Sequence, residues 1–132
     1  MGGTSQRKVL AGLRILVVED NEDAADSLAL LLRLAGHEAE AWNDGESALG
    51  RAAALQPHVI FLDLGLPRLD SFEVARRVRR DLPVPPYLVA VTGHAEEAVS
   101  RRSLEAGIDL HLVKPADPVQ ILTLVSDLRR QR

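Results

Sequence analysis

Three short runs of almost unbroken aliphatic residues, RILVV (14–18), HVIFL (58–62) and YLVAV (87–91), are separated by longer stretches whose apolar residues recur at helical spacing. Continuous apolar runs of this length mark strands covered on both faces, as in a parallel sheet. A fourth run, LHLV (110–113), is interrupted by His111, and HEAEAW (37–42) alternates polar with apolar residues as an edge strand does. Helical segments are predicted at 22–35, 44–54, 71–81, 96–106 and 118–130. Gly36 and Gly107 stand where left-handed C-terminal caps are needed, and Asn43 with Glu46 reads as a capping box. Five strand–helix units in succession require right-handed crossovers, which predicts a single α/β domain: a doubly wound parallel sheet of five strands.

Composition removes several functions. The 132 residues are 46% hydrophobic and 27% charged, enough for one compact domain, and carry a formal net charge of -3. No basic field is available for a nucleic-acid backbone, so no direct nucleic-acid partner is expected. There is no cysteine, hence neither a disulfide nor a thiolate metal site. No apolar run approaches the roughly 20 residues that span a bilayer, and the N-terminus lacks the apolar core of a secretory signal. A cytoplasmic protein without membrane insertion is the expectation. Residues 1–12 read as a flexible segment or a cloning remnant, and 13–130 as the folded domain.

In a doubly wound sheet the chemistry lies beyond the carboxyl ends of the strands, where the winding reverses. If strands 1 and 3 are neighbours there, Glu19 and Asp20 from RILVVED meet Asp63 from VIFLDLGLPRLD in one crevice. Strand 4 ends in AVTG and strand 5 in LVKP, which brings the Thr92 hydroxyl and the Lys114 ammonium to the same rim. Three carboxylates this close repel by roughly 1–4 kcal/mol per pair, so they must share protons or attract a cation. An all-oxygen set suits Mg²⁺, with Mn²⁺ as the alternative ion. A metal, a lysine and a hydroxyl clamp a phosphoryl group in flight, and Asp63, projecting from the central crevice, is the best placed nucleophile.

LVVEDN, FLDLGLPRLD, AVTGH and LVKP, in that order and spacing, resemble the receiver domain of two-component response regulators. The resemblance covers about residues 13–130, and the wording NEDAADSLALLLRLAGHE and HLVKPADP looks most like receivers at the C-terminus of hybrid histidine kinases. It implies a flavodoxin-like (βα)5 fold with strand order 2-1-3-4-5. It implies Asp63 as the phosphoacceptor and Mg²⁺ on Asp20, on Glu19 through water, on Asp63 and on the Gly65 carbonyl. Thr92 would be the switch hydroxyl and Lys114 its cationic partner, followed by a cis bond to Pro115. The donor would be a histidine kinase or histidine phosphotransfer protein, the output a downstream protein partner, and homodimerisation through helix 4, strand 5 and helix 5 a family possibility. Such a chain mediates its own phosphotransfer and slow dephosphorylation but is not a turnover enzyme.

Two positions depart from the family pattern. Ser71 stands where glycine is usual, so either a non-glycine residue adopts positive φ or the turn differs. His111 replaces the usual Tyr or Phe of the switch; it reads first as a partly exposed surface imidazole, and otherwise as a polar switch element. His94 reads equally as a tuner of acyl-phosphate hydrolysis and as a solvated loop residue. His37 and His58 read as structural, Trp42 as packing, and ARRVRR (75–80) as the solvated face of a helix. A lone aspartate at a strand end is ordinarily a helix cap; the five groups together are not explained by caps. Three alternatives remain: a degenerate receiver that only binds protein, a phosphohydrolase with an aspartyl nucleophile, and a flavin-binding module. EDNED lacks the D-x-D pair usual for the second, and EDNEDAAD would repel the phosphate of the third.

Overall fold

A computed structural model of the protein describes residues 11–94 and 100–132. Strands and helices alternate: β1 (Arg14–Val18), α1 (Glu22–Leu34), β2 (Glu38–Trp42), α2 (Gly45–Leu55), β3 (Val59–Asp63), α3 (Ser71–Asp81), β4 (Tyr87–Thr92), α4 (Arg101–Ala106), β5 (Leu110–Val113) and α5 (Pro118–Arg130). The strands make one parallel sheet, as their pattern predicts, in the order β2-β1-β3-β4-β5 that the resemblance implies. The N-terminal segment 1–10 and the first residues of the helix predicted from 96 lie outside the described residues.

Side chains on a strand alternate between the faces of the sheet, and both faces here are apolar. Ile15, Val17, Val59, Phe61, Val89 and Leu112 pack against Ala25, Ala29 and Leu32 of α1 and Ile121 and Val125 of α5. Leu16, Val18, Ile60, Leu62 and Leu88 pack against Ala48 and Ala52 of α2, Val74, Ala75 and Val78 of α3 and Ala106 of α4. Each large side chain so buried contributes about 1.5–3 kcal/mol, which is why β1 and β3 are apolar at every position that meets a helix. The small residues of α1 and α2 let these helices lie close to the sheet.

Local chemistry sets the element ends; two expectations, the α2 cap and the start of β2, are corrected, and the alternative at Ser71 is decided. The cap of α2 is Asp44, not an Asn43–Glu46 box: the Asp44 carboxylate accepts the Ser47 N–H at 2.8 Å and the Ser47 hydroxyl at 2.9 Å. Asn43 is drawn off by a distant partner, donating from Nδ2 to the Glu19 carbonyl at 2.9 Å, and Glu46 lies 3.6 Å from Arg77. Ser71 needs no positive φ, because it is the first helical residue of α3 behind the Asp70 cap, and the left-handed residue of this loop is Arg68, with φ of 66°. His37 lies outside β2; its N–H donates to the Leu32 carbonyl and its Nδ1 accepts the Leu13 N–H at 3.0 Å. Gly36 and Gly107 do take positive φ, 96° and 83°. His58 is structural too, its Nδ1 accepting the Arg14 N–H at 2.8 Å where β1 begins.

The arginines of ARRVRR are divided. Arg76, Arg77 and Arg80 pair at the surface with Glu73 and Asp81. Arg79 instead spans to the α4–β5 turn, donating to the Gly107 carbonyl from Nε (3.0 Å) and Nη2 (2.7 Å) and to Asp109 Oδ1 at 2.8 Å. Asp109 Oδ2 in turn accepts the Leu88 N–H at 2.8 Å, so α3, β4 and β5 share one network.

Candidate functional site

β1 and β3 are neighbours, and register pairs Val18 with Leu62 at their carboxyl ends. Glu19 and Asp63 therefore emerge side by side in the pleat phase of Val17 and Phe61. Lys114, just beyond β5, keeps the phase of Leu112 and so points to the same side. One carboxylate oxygen from each of Glu19, Asp20 and Asp63 lies within 4.8 Å of the others. Lys114 Nζ is 3.2 Å from Glu19 Oε1 and 3.2 Å from Asp63 Oδ1. The peptide bond from Lys114 to Pro115 is cis, as the resemblance implies.

Asp63 is 6% exposed, an unusual place for a carboxylate without compensation. Two donors meet its Oδ1: the Lys114 ammonium and the Gly65 N–H at 3.0 Å. Burial pushes the Asp63 carboxyl up, but the Gly65 N–H, the adjoining Glu19 and the Lys114 charge outweigh it and hold the group below the usual carboxylate range. Glu19 moves the opposite way: burial and the adjoining Asp63 raise it, against the Asn21 N–H and Lys114. Burial lowers the Lys114 ammonium, yet the two carboxylates prevail and raise it, so it stays charged. Asp20 is exposed at the mouth. The donor set is all oxygen and half open to solvent, which fits a hard divalent cation and offers nothing to a soft one.

Thr92 and His111 occupy the opposite pleat phase. Thr92 follows the phase of Leu88 on the α4 side, and His111 pairs with Ala90 on the same side. Thr92 is buried at the adjacent strand end, where its Oγ accepts the His94 N–H at 3.0 Å and donates to the His94 carbonyl at 3.3 Å. The His94 side chain is exposed. His111 is half-buried, in keeping with a partly exposed imidazole, but its Nε2 is hydrogen-bonded to Ser103 Oγ of α4, and the hydroxyl of that fully buried serine holds the ring. Above these, Arg102 of α4 pairs with Asp70 and stacks its guanidinium 4.5 Å from the Phe72 ring.

Sequence reasoning missed two contacts. The Ser71 hydroxyl donates to the Asp63 carbonyl at 2.6 Å, and Asn43 donates to the Glu19 carbonyl. Neither partner is near in sequence, and no local pattern distinguishes them from cap residues.

Among the described residues no helix is long and apolar enough to cross a membrane. The family model described as the response regulator receiver domain matches residues 15–126. The transcriptional regulatory protein PrrA of Mycobacterium leprae is 37% identical over 120 residues, 90% of this chain and 51% of that protein. The probable histidine kinase 2 of Oryza sativa is 29% identical over 139 residues, 92% of this chain but 13% of the kinase. The chain spans about half the length of the regulators it matches. Among solved structures, the N-terminal domain of WS1339 from Wolinella succinogenes superposes with a TM-score of 0.83 at 28% identity, covering 91% of this chain and 96% of that one. The fold is also that of the Ssk1 receiver domain of Saccharomyces cerevisiae, solved with the histidine phosphotransfer protein Ypd1: TM-score 0.82, 24% identity, 94% and 93% covered. With five parallel strands in the order 2-1-3-4-5 and an acidic crevice at the switch point, the chain belongs to the response regulator receiver domain family of two-component signalling systems.

Proposed function

We propose that this receiver accepts a phosphoryl group on Asp63 from the phosphohistidine of a histidine kinase or histidine phosphotransfer protein, and passes the change to a protein partner. One observation carries the reading: a buried aspartate kept anionic by Lys114 and Gly65, among acids that fit a divalent cation. An Asp63 carboxylate oxygen forms the new oxygen–phosphorus bond as the phosphorus–nitrogen bond of the donor breaks, its electron pair staying on the imidazole. Glu19, Asp20, Asp63 and the Gly65 carbonyl would hold Mg²⁺, which supplies charge neutralisation at the phosphoryl oxygens. Lys114 stands within reach of Asp63 to pair with the incoming negative charge. Thr92, released from His94, turns its hydroxyl to the phosphoryl group, and the α4 side, including His111, rearranges behind it. The Ssk1 neighbour's partner supports a phosphotransfer protein as donor.

The test is phosphorylation by acetyl phosphate with Mg²⁺, read by intact mass. The protein gains one phosphate; Asp63→Asn gains none, and Asp70→Asn, altered at the α3 cap, labels like the wild type. Equal labelling of Asp63→Asn and wild type overturns the assignment.

A further inference from the structure

Two of the three acids that converge on the crevice, Glu19 and Asp63, stand at strand ends where the backbone pairs with a neighbouring strand on one side only, β2 for Glu19 and β4 for Asp63. Each is held there by a side chain from elsewhere. The Ser71 hydroxyl, 1% exposed, donates to the backbone carbonyl of Asp63 itself at 2.6 Å, closing the loop 64–70 across eight residues. A buried hydroxyl without a partner is costly, and a serine in a first helical turn has nearer acceptors available to it; this one reaches back to the acid-bearing residue. On the other side, the Glu19 N–H donates to the Trp42 carbonyl at 3.0 Å and the Glu19 carbonyl accepts from Asn43 Nδ2 at 2.9 Å. The amide of Asn43 thus continues, by a side chain, the pairing that β1 and β2 end at Val18 and Trp42.

We infer that Ser71 and Asn43 are positioning residues that fix the two acid-bearing backbone sites relative to each other: Ser71 aims Asp63, and Asn43 holds Glu19. The inference rests on Asp63 being the phosphoacceptor. Displacement of a nucleophile by about 1 Å is enough to cost on the order of a hundredfold in rate, and a lost hydrogen bond that lets a strand end drift by part of that distance costs correspondingly less. Neither side chain touches the phosphoryl group, so each acts through the residue it holds. Their losses separate: freeing Asp63 slows transfer, whereas freeing Glu19 weakens the cation site first.

The experiment measures two quantities on the whole chain: the phosphorylation rate at saturating acetyl phosphate and Mg²⁺, and the Mg²⁺ dissociation constant by calorimetric titration, at a temperature where far-ultraviolet circular dichroism shows each variant folded. Ser71→Ala lowers the saturating rate about tenfold, with the Mg²⁺ constant within about twofold of wild type. Ser71→Thr, which keeps the donor, recovers the rate. Asn43→Ala weakens Mg²⁺ several-fold. A Ser71→Ala rate equal to wild type, or a Ser71→Thr rate no better than that of Ser71→Ala, removes Ser71 from the mechanism, and an unchanged Mg²⁺ constant in Asn43→Ala removes Asn43. Absence of labelling in the wild type is a different result: it overturns the role of Asp63, on which the inference stands.

Discussion

Replacing His58 with asparagine puts a number on how the base of the sheet is held. His58 Nδ1 accepts the Arg14 N–H, so this nitrogen carries no proton in the folded state. Burial, with Arg132 and Arg14 adding positive charge nearby, pushes the imidazole from 6.5 to about 4. Between those values the unfolded chain binds a proton that the folded chain refuses. Stability therefore rises with pH across the window; the contribution is complete above the unfolded value and is lost as pH falls toward the folded one. At 1.36 kcal/mol per decade the whole displacement corresponds to at most about 3.4 kcal/mol. His58 is only half-buried, and solvent screening reduces this to about 1–1.5 kcal/mol. Asparagine places Oδ1 near the site of Nδ1 and does not titrate, so His58→Asn keeps the bond and drops the pH dependence. Urea unfolding of both proteins between about pH 7 and pH 4.5 is the assay. The wild type loses about 1 kcal/mol more than the variant over that range, or about 4 °C in Tm. His37, also lowered by burial and by Arg129, is present in both proteins and cancels from the comparison. Parallel stability curves would refute the reasoning, because the slope would then belong to other groups.

A second prediction concerns Gly107, where an added Cβ would stand 2.8 Å from Arg79 Nε and 3.1 Å from its Cγ, at φ of 83°. Gly107→Ala costs about 1–2 kcal/mol for the left-handed backbone and about 1.5 kcal/mol more for the displaced guanidinium bonds. In an Arg79→Ala background only the backbone part remains, and thermal melts of the four proteins of this cycle show it; the same cost in both backgrounds excludes the clash. A third is that Lys114→Ala still binds Mg²⁺ in a calorimetric titration but loses most of the phosphorylation-dependent change in amide NMR spectra. An unaltered response would take the lysine out of the switch.

Much of this architecture is legible because its cause is local. The runs RILVV and HVIFL are apolar at consecutive positions, since both faces of β1 and β3 meet helices, and their shortness and branched residues mark them as strands. The acids and Lys114 are legible for a related reason: a charged group directly behind such a run falls at the strand's carboxyl end. What escapes is nonlocal. Asn43 and Asp44 are adjacent and both suited to capping; the bond from Asn43 to Glu19, 24 residues away, decides which of them caps α2. Ser71 looks like a glycine replaced, until the carbonyl of Asp63 appears above it. His111 looks solvated in LHLV because its partner, Ser103, belongs to another element.

The pleat has a consequence for traffic through the molecule. Along the strands, Glu19, Asp63 and Lys114 keep the pleat phase of the α1 and α5 side, whereas Thr92 and His111 keep that of the α4 side, so the two groups meet at the carboxyl ends of the strands. A protein gripping α4 leans on one group and leaves the other uncovered. In the proposed switch, a phosphodonor and an output partner would approach from different sides of the sheet, with Thr92 as the link between them.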